Sequence, residues 1–106
     1  MPRKYNKLVR DNIPDIIKKN GETPVIKYLS DNDYKKELEN KLYEEYQEVI
    51  GSSGKERIEE LADMIEVINY LAKCEDSSLE EVMSIGKTKS LKRGAFDKKI
   101  YLEEVR

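Results

Sequence analysis

Two carboxylate pairs stand out in this chain, Glu45-x-x-Glu48 and Glu60-x-x-Asp63. Residues three apart on a helix are neighbours, about 5–6 Å between Cβ atoms, so each pair can hold one cation between its oxygens. Acidic side chains are the natural place for chemistry here because histidine is absent. That removes Ser-His and Cys-His nucleophile pairs, the usual near-neutral acid/base and every imidazole metal site. A single cysteine, Cys74, excludes an intrachain disulfide and a thiolate zinc cage, and reads as a packing residue. Oxygen ligands therefore remain, and they suit hard divalent ions, Mg²⁺ or Mn²⁺.

The net charge of −2, from 20 basic and 22 acidic residues, conceals a segregated pattern. Residues 1–30 carry seven basic and three acidic groups, residues 31–66 five and twelve, and residues 67–106 eight and seven. A nucleic-acid binder needs a coherent basic stripe, so this acidic middle argues against nucleic acid and for a cationic partner or one that carries a cation. The sequence has no transmembrane run, and Met-Pro-Arg-Lys-Tyr begins it without an apolar signal region. A cytoplasmic protein that does not engage membranes is the expectation.

The elements that position the carboxylates follow from periodicity and capping. At 106 residues the chain fits one domain spanning 1–106, and 38% hydrophobic against 40% charged residues favours helices that concentrate a thin apolar content on defined faces. A short helix is expected over Asp11–Asn20, with Pro14 in its first turn and Asn20-Gly21 as the stop. Val25–Leu29 is rich in β-formers, and a brief strand there pairs with residues 99–102.

The first long helix begins at Ser30 or Asp31 and runs to Ile50. With Leu38 as the reference, Leu42, Val49 and Tyr34 form its buried stripe, and Glu45 falls at about −20°, inside it. The second runs from Lys55 to Lys73 behind a capping box, Ser53-x-x-Glu56. Ile58, Leu61, Ala62, Ile65, Ile68 and Ala72 make one apolar face, and Met64, Val67, Leu71 and Cys74 another, with Glu60 and Asp63 beside Met64 and Val67. A helix apolar on two sides is sandwiched, and so short a chain has too few other elements to cover both, so at least a homodimer is expected. A last helix starts at Ser77 with the box Ser77-x-x-Glu80 and buries Leu79, Val82 and Met83. The expected architecture is an all-α bundle of three or four helices.

If the two long helices pack antiparallel across Gly51–Gly54, Glu45 and Glu48 come level with Glu60 and Asp63. Two like charges about 4 Å apart cost about 4 kcal/mol at an effective dielectric of 20, so four carboxylates in one cleft call for cations or protons. The plain alternative is that such pairs sit on solvated faces, as they commonly do in chains this highly charged. Position on the buried side of two consecutive helices favours the metal reading.

At these residues the chain resembles a known family. Glu44-Glu45-x-x-Glu48, followed by Glu60-x-x-Asp63 after eleven residues, is similar to the EExxE…ExxD signature of the all-α, MazG-like nucleoside triphosphate pyrophosphohydrolases, which include phosphoribosyl-ATP pyrophosphohydrolase. Tyr5–Ile17 resembles the N-terminal block of small phosphoribosyl-ATP pyrophosphohydrolase-like members, and Lys92-Arg-Gly-Ala-Phe96 resembles their later basic-Arg-Gly-Gly-Phe block. Ala95 and Asn12 depart from the usual glycine and lysine.

The resemblance implies that Glu45, Glu48, Glu60 and Asp63 ligate Mg²⁺. It also implies hydrolysis between the α and β phosphates to a nucleoside monophosphate and pyrophosphate. One of the four, or Glu44, would take the proton of the attacking water. Lys41, Lys89, Lys92 and Arg93 are candidates to stabilise the leaving pyrophosphate, and Lys7, Arg10 and Asn69 to line the nucleotide pocket. Each has a structural alternative. Lys41 pairs with Glu45 at i+4, the basic end of the last helix complements its dipole, Arg10-Asp11 caps a helix, and Asn69 satisfies a buried backbone group. Nucleotide-pool house-cleaning, phosphoribosyl-ATP hydrolysis in histidine biosynthesis and a non-enzymatic dimerisation or adaptor module remain open as functions.

Overall fold

A computed structural model describes residues 2–106 and contains four helices, α1 (Ile13–Lys19), α2 (Asp31–Ile50), α3 (Gly54–Cys74) and α4 (Leu79–Arg93). The fold class is all-α, and no strand occurs among the described residues. Neither Val25–Leu29 nor residues 99–102 enters a β-ladder. Backbone hydrogen bonds do not join them, and Val25, Tyr28 and Tyr101 lie almost fully in solvent. β-Propensity describes fit to a half-buried pleated surface, and no such surface is present to receive these residues.

Local signals account for most helix ends. Pro14 sits in the first turn of α1, and Gly21 beyond its C-cap takes φ 83°, a backbone conformation that glycine adopts without Cβ strain. Ser30 caps α2, its Oγ accepting from the Asp33 backbone N–H at 3.3 Å. At α3 the expected capping box does not form. Ser53 occupies the N-cap position in extended backbone, but its side chain makes no capping hydrogen bond. The turn is stitched instead by Arg57, whose Nε donates to the carbonyls of Ser52 (2.8 Å) and Val49 (3.1 Å), and by the buried Ser52, whose hydroxyl donates to the Val49 carbonyl. At α4 the capping serine is one residue later than expected. Ser78 accepts from the Glu81 N–H, and Ser77 instead closes the end of α3 by donating its backbone N–H to the Ala72 carbonyl.

α2 and α3 pack against each other as an antiparallel hairpin. Lys35 near the start of α2 pairs with Glu75 just past the end of α3, and Tyr34 lies beside Tyr70 and Cys74. Between them Leu38 (3% exposed) and Val67 (7%) are buried, and Leu42, Met64 and Leu71 are half-buried. The Met64/Val67/Leu71 face of α3 is therefore the packed one. The other is covered only near Ala72, close to where α4 begins; Ile58, Leu61 and Ile65 remain 43–68% exposed. α4 packs on α3 alone, and Val82 and Met83, expected inside, lie open. Among the described residues, no helix is long and apolar enough to cross a membrane.

With so few residues fully buried, the hairpin seam carries the stability. Leu38→Ala is expected to cost about 2–4 kcal/mol in urea unfolding, the usual toll for removing a buried leucine. A loss under about 1 kcal/mol would show that the seam collapses freely around the gap.

Candidate metal centre

The hairpin register brings the acidic residues of the two helices together. One carboxylate oxygen each from Glu45, Glu60 and Asp63 can be chosen so that all three lie within 4.8 Å of one another. Glu45 projects from the apolar stripe of α2 and is 7% exposed, while Glu60 and Asp63 are half-buried on α3. Three of the four expected carboxylates therefore form one group. Glu48, one turn past Glu45, is exposed and stands at the rim, adjoining Glu60.

The electrostatics show the strain of this arrangement. Burial is the main force raising the Glu45 pKa; Lys41 opposes it, and Asp63, Glu48 and Glu44 add to it. Desolvation likewise raises Glu60, reinforced by Glu48, Asp63 and Glu45. Both acids bind a proton more tightly in the folded chain than at the ordinary value near 4.5. Glu44 goes the other way: desolvation pushes it up, but Lys7 and Lys41 outweigh that and leave its pKa lowered.

Among the described residues, three cations border the group. Lys41 Nζ lies 3.4 Å from Glu44 Oε2 and 3.7 Å from Glu45 Oε1. The other two come from the irregular segment before α1. Lys7 Nζ donates to Glu44 Oε1 at 3.1 Å; Arg10 Nη2 donates to Asp63 Oδ1 at 2.8 Å, and its Nη1 is 3.6 Å from Glu66 Oε2. Lys7 and Arg10 thus tie the N-terminal segment across both long helices, while the Arg10 carbonyl also accepts the Ile13 N–H at the start of α1 (3.1 Å). Lys41 makes the expected i+4 pair with Glu45 and a closer one with Glu44.

Other expected residues stay apart. Lys89, Lys92 and Arg93 line an open surface cleft of about 310 Å³ with Ser84, Ile85 and Thr88, on a helix that does not touch α2. Asn69 lies about 120° around α3 from Asp63, on the face of Ile58 and Ile65. Glu66, which is not among the expected site residues, pairs with Arg10 and so takes a part at the border. The signal for that pairing was the charge segregation, a basic first third beside an acidic middle.

Six carboxylates, Glu44, Glu45, Glu48, Glu60, Asp63 and Glu66, thus meet three cations, leaving negative charge uncompensated. The donors are all oxygen, which fits Mg²⁺ or Mn²⁺ and offers softer ions nothing. Residues able to hold such an ion are Glu45, Glu60 and Asp63, with Glu48 beside them.

In comparisons with known proteins, the chain is 52% identical over 42 residues to an uncharacterized protein of Mycolicibacterium smegmatis, a match covering 40% of this chain and 43% of that relative. The match thus spans less than half the length of the relative. No protein-family model matches the chain, and neither does any solved structure.

The raised Glu60 pKa has a signed consequence. A carboxylate whose folded pKa exceeds its unfolded value stabilises the fold at low pH, and that contribution is lost as pH rises through the folded value. In chelator-treated buffer at pH 7.5, Glu60→Gln is therefore expected to melt higher than the wild type, the gap closing as pH falls toward 4.5. Millimolar Mg²⁺ should raise the wild-type melting temperature and leave that of Glu60→Gln nearly unchanged. A variant that melts lower than wild type without metal would show that Glu60 is held by favourable contacts instead.

Proposed function

We propose that the chain is a Mg²⁺-dependent nucleoside triphosphate pyrophosphohydrolase, releasing a nucleoside monophosphate and pyrophosphate. The observation that carries the reading is the convergence of Glu45, Glu60 and Asp63 from two helices onto one small volume, half shielded from water. Support also comes from the resemblance of these same positions to the MazG-like signature. Mn²⁺ is the natural substitute ion.

In this reading Glu45, Glu48, Glu60 and Asp63 hold the metal, which when bound supplies a Lewis acid for phosphate oxygens and lowers the pKa of water. The chain's own part is positional and electrostatic. Leu38 and Val67 fix the two helices in register, so the carboxylates face each other without reorganising. Lys7, Arg10 and Lys41 are the cations within reach of a polyphosphate at this edge of the hairpin. Arg10 offers a planar fork suited to bidentate phosphate contact, and Lys7 and Lys41 act as point charges. Glu44 is ionised at neutral pH, as a proton acceptor must be, but Lys7 and Lys41 weaken it as a base. Its stronger role is to anchor the N-terminal segment.

The test is pyrophosphate release from a panel of ribo- and deoxyribonucleoside triphosphates with Mg²⁺. Wild type is expected to yield pyrophosphate and monophosphate in equal amounts. Glu48→Gln and Asp63→Asn should each lose activity by about 10²-fold or more, a loss of about 2.7 kcal/mol in transition-state stabilisation. Equal activity in all three proteins, or orthophosphate as the first product, would overturn the reading.

A further inference from the structure

We propose that the segment ahead of α1 is a strap that closes the carboxylate group with the chain's own charge, Arg10 holding at Asp63 the place a divalent ion would take. Metal and strap then exclude each other. The inference rests on the metal reading of Glu45, Glu60 and Asp63 and deepens it by naming what the ion must displace.

Arg10 differs from the other cations at the group. Lys41 belongs to α2 itself, so it stays beside Glu44 and Glu45 for as long as that helix stands. Arg10 comes from irregular chain, and its Nη2 donates to Oδ1 of Asp63, a member of the group, at 2.8 Å. Its Nη1 lies 3.6 Å from Glu66 Oε2, one turn further along α3, so one guanidinium spans two neighbouring acids of the same helix. Lys7 pairs with Glu44, which lies outside the group of three. Among the described residues of the segment, Arg10 alone therefore makes an ion pair with one of those three carboxylates.

Charge is what holds the strap down. Among the described residues, 2–9 take part in no backbone hydrogen bond, and all of them except Leu8 are exposed. Three of its side chains form ion pairs instead, Arg3 with Glu22, Lys7 with Glu44 and Arg10 with Asp63. The Arg10 and Asp63 side chains are 57% and 44% exposed, and pairs this open are weak and screened by salt. The buried contact of Leu38 with the α3 side of the hairpin does not depend on them. Releasing Arg10 therefore leaves the two long helices packed.

The sign of the coupling follows from the charges. A guanidinium and a dication brought to one carboxylate repel each other and compete for the same oxygens. Holding the strap down thus lowers metal affinity, and by linkage metal binding loosens the strap by the same factor. The two effects are read separately, one on the ion and one on Arg10.

Both measurements use the full chain and Mn²⁺ as the probe. In calorimetric titration Arg10→Ala is expected to bind Mn²⁺ about tenfold tighter than wild type. Lys7→Ala removes an equal charge from the segment without vacating Asp63, and should change the affinity by about threefold or less. Labelling of wild-type arginines with phenylglyoxal, read by mass spectrometry, follows the strap directly and does not depend on how any variant folds. Saturating Mn²⁺ should speed modification of Arg10 by about fivefold or more. Arg93 on α4, a helix that does not touch α2, is the internal reference and should keep its rate. Equal Mn²⁺ affinity in wild type and Arg10→Ala, with Arg10 labelling unchanged, would overturn the strap and leave the metal centre standing. Tighter binding by Arg10→Ala with no metal effect on labelling would reduce Arg10 to a background charge and overturn it too. Absence of Mn²⁺ binding in both proteins would overturn the metal reading along with the strap.

Discussion

Mutual repulsion among half-buried carboxylates is the constraint on which this structure turns. Burial alone disfavours the charged form of Glu45, and the charges of Asp63, Glu48 and Glu44 disfavour it further. A helix that only needed a stable seam would place leucine at that position, as it does at Leu38 and Leu42. Glutamate there carries a desolvation cost that leucine would not, and it places a carboxylate beside Glu60 and Asp63. Features that lower stability at one spot yet concentrate chemical groups are what functional sites look like.

The surroundings compensate in part. Lys41 comes from the same helix as Glu45, one turn earlier, and Lys7 and Arg10 come from a segment with no regular structure of its own. Their reach ties that segment to the hairpin through charge more than through apolar contact, since most of its side chains are exposed. Attachments of this kind open readily, because exposed ion pairs contribute little to stability and are screened by salt. The segment is therefore held to the helices by contacts weaker than the hairpin seam.

Much of this was legible in the residues, and the exceptions share a cause. The bounds of α2 and the inward placement of Glu45 followed from a period of 3.6 and a serine cap, both local properties. The cap of α4 was misjudged by one residue because Ser77 and Ser78 are adjacent and each precedes a glutamate by three; tertiary closure of α3 by Ser77 decided between them. The short strands failed because pairing needs a sheet, and propensity carries no information about one. Glu48 lies about 60° further round the helical wheel than Glu45, at the border of the buried stripe, and the structure has it exposed at the rim. Val82 and Met83 recur at helical spacing and so read as inward, but α4 packs on α3 alone and leaves both open, a tertiary outcome that periodicity does not encode.

The central claim is that Glu45, Glu60 and Asp63 are ligands and not an accident of a highly charged surface. Anomalous diffraction from crystals soaked in Mn²⁺ tests it most directly. A peak is expected between these three side chains, about 2.0–2.3 Å from an oxygen of each, with Arg10 displaced from Asp63. A map without such a peak, in which Arg10 still holds Asp63 at millimolar Mn²⁺, would contradict the account.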